Sequence, residues 1–346
     1  MGERRIIGIT MGDISGIGPE LILKVLSEPE LVSKARLLVV GCPNALERAM
    51  DLIGIRFPLN IVEKPSDGIY KEGMIDVLSI GEADLGSCPI GEVASESGMW
   101  AYKAVEKVIE LAMKGEIDAT VTNPLNKEAL HKAGYNYPGH TEIYASLTGS
   151  SKFSMMLIHG NLRVMHVSTH VSLRQACDLV KKDRVLDVIR LANSTMLDLG
   201  IKEPRIAVAG LNPHAGENGL FGREEIEEIT PAIEEARSQG INAIGPIPPD
   251  TVFSKAVGGW YDAVIAMYHD QGHIPLKVKG FVYDEKAGKW LNVAGINVTL
   301  GLPIIRVSVD HGTAFDQAGK GTASPSSLIE SIEYAIRFAE NRRKDG

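Results

Sequence analysis

The chain has 346 residues, 44% of them hydrophobic and 23% charged, which is typical of a globular protein and excludes a disordered, collagen-like or coiled-coil chain. Its 36 lysines and arginines against 44 aspartates and glutamates give a net charge of −8, so we expect neither nucleic acid nor an anionic membrane as a partner. The three cysteines lack a CxxC spacing and no apolar run approaches the roughly 20 residues of a membrane helix, so we expect a soluble protein of the reducing cytoplasm.

Short β-rich runs alternate with helical patterns along the whole chain. The pattern predicts strands at residues 5–10, 35–40, 118–122, 153–159, 162–167, 205–209, 262–268, 296–299 and 304–309. It predicts helices at residues 19–27, 97–114, 182–199, 223–239 and 325–341. This alternation favours mostly parallel sheets covered by helices, and the chain length favours two domains. Ligands of such sheets bind beyond the carboxyl ends of the strands.

The first predicted strand runs into a glycine-rich segment, TMGDISGIGPE at residues 10–20. A turn of this kind from a strand to a helix can expose backbone N–H groups to an anion. The glycines do not have the GxGxxG spacing, and the segment lacks the lysine of a P-loop. An anion-binding loop and a tight turn without a ligand are therefore equally good interpretations.

Three of the nine histidines end predicted strands within polar turns, namely His170, His214 and His269. Three imidazoles that converge and leave open positions form a catalytic site for a divalent metal. No HExxH pair or other short ligand spacing indicates that they converge, and a single histidine at a strand end is more often structural. The residues by themselves leave both interpretations open.

Further polar residues near the strand ends could bind an anion. His140 and Thr141 open a predicted helix, where Thr141 could equally serve as the cap. His311 follows another strand, and Lys277 and Arg306 could hold a phosphate or a carboxylate. For an isolated lysine or arginine, a solvated surface charge is the simpler interpretation.

Seven ordered segments of the chain carry a family resemblance. They are TMGDISGIGPE (10–20), TNPLNK (122–127), GHTE (139–142), STHVSLR (168–174), GLNPHAGENG (210–219), AMYHDQG (266–272) and NVTLGLPIIRVSVDHGTAFDQAGKG (297–321). Together they resemble the 4-hydroxythreonine-4-phosphate dehydrogenases of vitamin B6 synthesis, the PdxA family. The resemblance runs from about residue 9 to residue 339, almost the full length.

The resemblance implies an α/β fold of the isocitrate/isopropylmalate dehydrogenase type, with two α/β/α domains and an active-site cleft between them. Residues 1–140 and 302–346 are then the first domain, with an NAD loop at 311–321. Residues 141–301 are the second domain, which carries the metal and the dimer side. It also implies a homodimer whose active sites draw residues from both subunits.

The same resemblance implies roles for individual residues. The metal ligands are His170, His214 and His269, usually for Zn²⁺, with Mg²⁺ or Co²⁺ able to substitute. The residues that hold the phosphorylated substrate are His140, Thr141, Lys277, Asn297 and Arg306. The cofactor-binding residues are His311, Gly312, Thr313, Asp316 and Gly319. The position of Asp316 suits hydrogen bonds to the adenosine ribose hydroxyls, which favours NAD over NADP.

The implied reaction oxidises the C3 hydroxyl of a four-carbon, 4-phosphorylated acid to a 3-keto acid, which then loses CO₂. An adjacent divalent cation stabilises the forming alkoxide as a Lewis acid. The general base is open between Asp270, beside a metal ligand, and Lys277. A phosphate acyltransferase of related fold is the alternative, although it predicts neither a metal triad nor an NAD loop. A non-catalytic sensor of sugar phosphates is a third interpretation. The full set of implied metal ligands argues against it.

One segment departs from the B6-pathway members of the family. The link at 278–295 is longer here, and residues 282–290 predict a hairpin around an Asp-to-Gly turn. A longer link is similar to the branch that oxidises 4-phospho-D-threonate or 4-phospho-D-erythronate, where a hydroxyl replaces the amine of 4-phosphohydroxy-L-threonine. A surface hairpin with no effect on specificity is an equally good interpretation.

Overall fold

The computed structural model describes residues 4–285, 289–293 and 295–342. Its strands are β1 (Ile6–Thr10), β2 (Arg36–Gly41), β3 (Leu59–Val62), β4 (Ile75–Ser79), β5 (Ala119–Thr122), β6 (Ser154–His159), β7 (Leu162–His166), β8 (Ile206–Ala209), β9 (Ala243–Ile247), β10 (Ala263–Ala266), β11 (Phe281–Asp284), β12 (Lys289–Val293), β13 (Ile296–Leu300) and β14 (Arg306–Val309). Its helices are α1 (Gly18–Leu26), α2 (Pro29–Lys34), α3 (Pro43–Ile53), α4 (Ser95–Met113), α5 (Lys127–Lys132), α6 (His140–Thr148), α7 (Leu173–Leu179), α8 (Lys182–Asp198), α9 (Thr230–Ser238), α10 (Pro249–Val257), α11 (His269–Gly280) and α12 (Ser326–Arg342).

The chain divides into two compact units. The first unit comprises residues 1–151 and 302–346, and the second comprises residues 152–301. The sequence-based division places residues 141–151 in the second domain. In the structure α6 packs against α4, and the Tyr144 hydroxyl donates a hydrogen bond to Thr120 Oγ1 on β5. These contacts keep the helix in the first unit.

The first unit contains a parallel sheet in the order β3-β4-β2-β1-β5-β14. All residues of β1, β5 and β14 are buried, which explains why these strands are short apolar runs without polar alternation. The long helix α4 packs its apolar side on β1, β2 and β5, while α12 covers β5 and β14. The carboxyl ends of β1, β5 and β14 therefore lie side by side at one edge of this sheet.

The second unit contains a mixed sheet in the order β13-β6-β7-β10-β8-β9. Strands β7, β10, β8 and β9 run parallel, whereas β13, β6 and β7 pair antiparallel. The antiparallel pair β6 and β7 follows from the sequence, because only Gly160 (φ 58°) and Asn161 separate the two strands. The carboxyl ends of β7, β10 and β8 are neighbours, as those of β1, β5 and β14 are in the first unit.

The predicted hairpin of the long link is present as the antiparallel pair β11 and β12. Residues 286–288 of its turn lie outside the described residues. Sequence patterns missed β3, which has few buried residues, β9, which contains proline, and β4, whose buried run includes the acidic residue Asp76. The helix predicted at 223–239 begins with a π-helical turn, Glu225–Ile229, before it continues as α9. Over the described ranges, no helix has the length and apolar character needed to span a membrane.

Candidate active site

Three histidine-bearing loops leave neighbouring strands of the second unit. His170 follows β7, His269 follows β10, and His214 follows β8. The parallel register pairs Val264 of β10 with Val164 of β7 and with Ala207 of β8, so all three strands end at one edge. The three loops therefore leave the same edge of this sheet.

A buried glutamine connects these strand ends. Gln271 accepts a hydrogen bond from Met267 N at 2.6 Å and donates one from Nε2 to the Gly210 carbonyl at 2.8 Å. Ser168 adds a third link, because its hydroxyl donates to the Met267 carbonyl at 3.0 Å. The ends of β7, β10 and β8 are thus joined by two neutral side chains. We call Ser168 and Gln271 the neutral clasp.

A buried carboxylate fixes the loop that leads to His214. Glu225, 3% exposed, accepts hydrogen bonds from the backbone N–H groups of Leu211 and Asn212, both at 2.8 Å, and from Asn212 Nδ2 at 2.9 Å. Gly216 passes so close that a Cβ there would lie 2.7 Å from this carboxylate. Three donors compensate the cost of burying the charge.

The imidazoles of His170 and His269 face one another. Their ring centroids are 5.9 Å apart at an angle of 45°. They line a cavity of about 540 Å³ together with Thr169, Leu173 and Tyr268. His269 Nδ1 lies 2.7 Å from a carboxylate oxygen of Asp270, which only accepts hydrogen bonds when ionised. The proton is then on Nδ1, and Nε2 is available as a metal ligand.

His214 does not join this pair. It lies in a stretch of left-handed backbone, where the φ values of His214, Ala215, Glu217 and Asn218 are 53°, 55°, 43° and 54°. Its ring lies 6.2 Å from that of Phe221. In the part of the chain that the structure describes, no group of three His, Cys, Asp or Glu side chains is placed to hold a metal ion. Of the three expected metal ligands, the described residues of one chain bring His170 and His269 together, and the ligation of a metal stays a prediction.

Two further histidines pack behind His269. The His273 ring stacks on that of His269 at 3.6 Å, and its Nδ1 donates to the His269 carbonyl at 2.9 Å. His166, which is 1% exposed, lies 4.8 Å from the His273 ring, and burial lowers its pKa to about 3. His166 is therefore a neutral imidazole.

The remaining second-unit candidates lie on other elements. Lys277 is half-buried on α11, the helix that begins at His269. Asn297 is half-buried on β13, where its Nδ2 donates to the sulfur of Met155 at 3.4 Å. Their contact with a substrate stays a prediction.

In the first unit, Arg306 is a buried cation rather than a solvated surface charge. It begins β14, is 3% exposed, and donates from Nη2 to Thr122 Oγ1 at 3.0 Å. Its guanidinium carbon lies 5.6 Å from the centre of the Tyr144 ring. Burial lowers the pKa of Arg306 to about 10, so the side chain stays charged at neutral pH.

The positive charge of Arg306 influences the protonation of His140. Burial, followed by the positive charge of Arg306, lowers the pKa of His140 well below its usual value. Its Nε2 is buried without a hydrogen-bond partner in the described residues. The cap position of α6 is Gly139, and no side chain caps this helix, so Thr141 is not the cap. A neutral imidazole and a buried guanidinium form an environment suited to an anion.

The glycine-rich segment is a tight turn rather than an open anion-binding loop. Residues 11–20 are all buried. A Cβ on Gly18 would lie 2.1 Å from the Met11 carbonyl oxygen. The N–H groups of Ser15, Gly16 and Ile17 are already donated to protein oxygens.

The segment after β14 leaves one carboxylate on the surface. Asp316 is exposed, and its main-chain oxygen accepts a hydrogen bond from Lys320 Nζ at 2.6 Å. Thr313 is buried, while His311 Nδ1 lies 3.0 Å from the Gly312 carbonyl oxygen. An exposed carboxylate on a loop beyond a parallel strand is compatible with ribose hydroxyls as partners.

Comparison with known proteins gives the family. A family model described as pyridoxal phosphate biosynthetic protein PdxA matches residues 33–335. A D-threonate 4-phosphate dehydrogenase of Pectobacterium atrosepticum is 48% identical over 336 residues, which cover 97% of this chain and 99% of that protein. The chain belongs to the PdxA family.

Solved structures agree with this membership of the PdxA family. The crystal structure of a 4-hydroxythreonine-4-phosphate dehydrogenase from Klebsiella pneumoniae matches with a TM-score of 0.86 and 45% identity, over 97% of this chain and 98% of that chain. The α/β fold class and the family expected from the sequence are confirmed. Because both PdxA-family relatives are dehydrogenases, the chain is an enzyme of the dehydrogenase type.

The EutD phosphotransacetylase from Staphylococcus aureus has a similar fold, with a TM-score of 0.54 at 11% identity, over 97% of this chain and 94% of that chain. Likeness at that identity concerns the fold alone. The phosphate acyltransferase alternative therefore gains no support from it.

Sequence reasoning missed several residues that shape this PdxA-family site. Gln271 stands two positions after His269 in the AMYHDQG segment, and His273 stands one helical turn after it, so their placement could have been noticed. Glu225 gives no such signal, because it is one of several glutamates between 224 and 228. Tyr144 is a buried aromatic residue, and its place in the sequence does not distinguish it from other core residues.

Proposed function

We propose that the protein is an NAD-dependent dehydrogenase that oxidises the C3 hydroxyl of D-threonate 4-phosphate. The main support for this proposal is the 48% identity with a protein of that name over nearly the full length of both chains. D-Erythronate 4-phosphate and 4-phosphohydroxy-L-threonine are the other candidate substrates. The long link with its β11–β12 hairpin is the feature that favours the sugar acids.

The anionic end of the substrate would be held by the residues around Arg306. A buried guanidinium binds a phosphate through charge-assisted hydrogen bonds, which are strong where water is excluded. The neutral His140 beside it can donate a hydrogen bond without adding a charge. Thr141, Lys277 and Asn297 are proposed to complete the substrate contacts, with the local cations compensating the net charge of −8.

The cofactor would bind along residues 311–321, at His311, Gly312, Thr313, Asp316 and Gly319. The exposed Asp316 carboxylate can accept both ribose hydroxyls of the adenosine. The same carboxylate repels a 2′-phosphate, so we propose NAD rather than NADP.

A divalent cation, Zn²⁺ first with Mg²⁺ or Co²⁺ as substitutes, is part of the proposal. When bound, it would supply Lewis-acid chemistry at the reacting oxygen. His170 and His269 are its proposed ligands with His214. Since one chain brings only two of these rings together, a homodimer whose active sites draw residues from both subunits would supply the third.

The proton of the C3 hydroxyl must leave as the hydride is transferred. Asp270 and Lys277 remain the candidates for the base. The Asp270 carboxylate is engaged with His269 Nδ1, which suits a residue that orients the ring. Both residues stay candidates for the base. The resulting 3-keto acid loses CO₂, and from the threonate the three-carbon product is dihydroxyacetone phosphate.

The experiment that tests this function is NADH formation with Zn²⁺ or Mg²⁺ on the three phosphorylated acids. We expect D-threonate 4-phosphate to give the highest kcat/KM, CO₂ release in step with NADH, and little turnover with NADP⁺. A chelator-treated sample serves as the control for the metal. If none of the three acids is oxidised, the proposed function is wrong.

A further inference from the structure

The segment between β14 and α12 depends on other elements for its shape. Residues 310–325 form no strand or α-helix, so their backbone N–H and C=O groups need partners elsewhere. Ala314, Gly319 and Gly321 have positive φ values of 43°, 74° and 65°. Glycine adopts such values readily, but it does not select one path among several, and at Ala314 the left-handed conformation costs energy. Contacts with other elements must therefore fix the path of this segment.

Helix α1 supplies partners for this segment. Glu20 Oε2 accepts hydrogen bonds from Gly319 N at 3.0 Å and from Gly321 N at 3.4 Å. One turn further along, Lys24 Nζ donates to the Gly321 carbonyl at 2.8 Å and also to the carbonyl of Ala323. Before the helix, Ile17 N donates to the Thr313 carbonyl at 3.1 Å. Positions 17, 20 and 24 repeat at the spacing of one helix face.

The burial of Glu20 requires an explanation beyond the stability of α1. An acidic residue in the first turn of a helix interacts favourably with the helix dipole, but an exposed side chain provides that as well. Glu20 is 2% exposed, and a buried carboxylate is costly unless donors compensate it. Its donors come from the segment that follows β14, about 300 residues away in the chain.

We propose that Glu20 is a positioning residue for the NAD loop, which it holds through the N–H groups of Gly319 and Gly321 so that Asp316 stays available to the adenosine ribose. The proposal rests on the proposed function, in which residues 311–321 bind NAD. Lys24 assists by holding the carbonyl side of the same loop.

The first measurement follows the loop without cofactor. Hydrogen exchange of the fragments covering 313–323 is compared in the wild-type protein, Glu20→Gln and Glu20→Ala. We expect the amides of Gly319 and Gly321 to exchange at least about tenfold faster in Glu20→Ala, because charged hydrogen bonds are lost. Glu20→Gln retains one acceptor oxygen and should lie between the two.

The second measurement is the affinity for NAD⁺ and NADH, determined by calorimetry or fluorescence without turnover. The dissociation constant should rise about tenfold or more in Glu20→Ala and less in Glu20→Gln and Lys24→Met. In turnover, KM for NAD⁺ should rise while kcat and KM for the phosphorylated acid change less than about twofold. Glu30→Gln removes one negative charge at an exposed position and should leave all of these values unchanged.

The outcomes separate the two proposals. A wild-type protein that binds neither NAD⁺ nor NADP⁺ refutes the proposed function and the role of Glu20 with it. If the wild-type protein binds NAD⁺, unchanged exchange at 313–323 or unchanged NAD⁺ affinity in folded Glu20→Gln and Lys24→Met overturns the role of Glu20 alone. Equal losses in kcat and in affinity for both ligands, with a lower thermal midpoint, would assign it a purely structural role and also overturn the inference.

Discussion

The two units arrange the carboxyl ends of their central strands in different ways. In the first unit, Asp13 and Glu20 follow β1, and the guanidinium of Arg306 donates to Thr122 at the end of β5. All three ionisable side chains are at most 3% exposed. In the second unit, His170 and His214 are exposed, and the Ser168–Gln271 clasp that joins the strand ends behind them is neutral. In the first unit the buried groups include those proposed to hold the substrate, whereas in the second unit the buried carboxylate of Glu225 fixes a loop and the histidines of the loops stay accessible.

The difference matches the two kinds of ligand proposed. A phosphate is bound best by a cation that is already desolvated and oriented, because reorganisation then costs little. A metal ion needs ligands that reach it from separate loops and tolerate small adjustments, while their backbones stay fixed. Substitutions at the two edges should therefore have different consequences for binding and for stability.

The largest effect is expected at the exposed imidazoles. His170→Ala should lower kcat/KM by about 10³-fold or more and remove bound metal, because a ligand is lost. Stability should change little, since the side chain is exposed. Metal content by mass spectrometry and turnover check this. His131→Ala, at an exposed histidine of the first unit, is the control and should retain both the bound metal and the turnover.

Mixed dimers sharpen the same test. His214→Ala and His269→Ala should each be inactive, but their co-expressed mixture should regain about a quarter of the wild-type activity if the two residues of one site come from different subunits. A mixture of His170→Ala with His269→Ala should stay inactive, because these rings face each other within one chain. Activity in the second mixture, or none in the first, contradicts the proposed sharing.

The next largest effect is expected at the buried cation. Arg306→Lys keeps the charge but loses the planar fork, and should raise KM for the phosphorylated acid by about 10²-fold. Affinity for NAD⁺ should change by less than about twofold. Because misfolding would weaken the binding of both ligands, this comparison distinguishes a lost phosphate contact from misfolding. Arg337→Lys on the exposed side of α12 is the matched control. An unchanged KM in Arg306→Lys would remove this residue from the phosphate site.

A smaller effect is expected at the neutral clasp. Gln271→Met keeps the size of the side chain but leaves the Met267 N–H and the Gly210 carbonyl without this partner. Unfolding free energy should fall by about 1–3 kcal/mol, and metal affinity should fall by about tenfold. Urea denaturation and competition with a chelator measure the two. Gln239→Met, at an exposed position, should change neither.

The sequence predicts those parts of this site that depend on local residue patterns. Strand ends and polar turns locate His170, His214 and His269, and the parallel topology places their loops at one edge. The periodicity of a sequence does not show whether the side chains at one sheet edge reach each other. It therefore does not reveal that His214 stands apart from His170 and His269. The position of His214 depends on the left-handed loop around it, and four non-glycine residues with positive φ have no local signature in the sequence.

Burial of charge is equally invisible in the sequence. Arg306 has the pattern of a surface residue, yet the packing of α6 and β5 around it makes it buried. In the sequence, Glu20 is simply an acidic residue beside a helix start, because its partners Gly319 and Gly321 are almost the whole chain away. In both cases the deciding contacts are long-range, and the family resemblance suggests a role in advance only for Arg306.

The last expected effect concerns stability and pH alone, and it tests whether the burial of Asp13 in the first unit has a cost. Burial raises the pKa of Asp13 to about 6, while a hydrogen bond from Ser15 N opposes the rise. The unfolded chain has the usual value of 3.8, so the folded protein binds the proton more tightly. This contribution to stability is complete below about pH 4 and is lost as the pH rises through about 6.

Asp13→Asn keeps the shape and cannot ionise, so it should lack this decline. At pH 8 the variant should be more stable than the wild type by up to about 3 kcal/mol, and the difference should shrink towards zero near pH 4. Urea midpoints between pH 4 and pH 8 measure it. Asp84→Asn is the control, because hydrogen bonds from Ser87 and Gly86 lower the pKa of that exposed carboxyl, and its pH dependence runs in the opposite direction. A difference between Asp13→Asn and the wild type that does not change with pH would mean that Asp13 carries no such cost, and that the first edge holds its buried charges without strain.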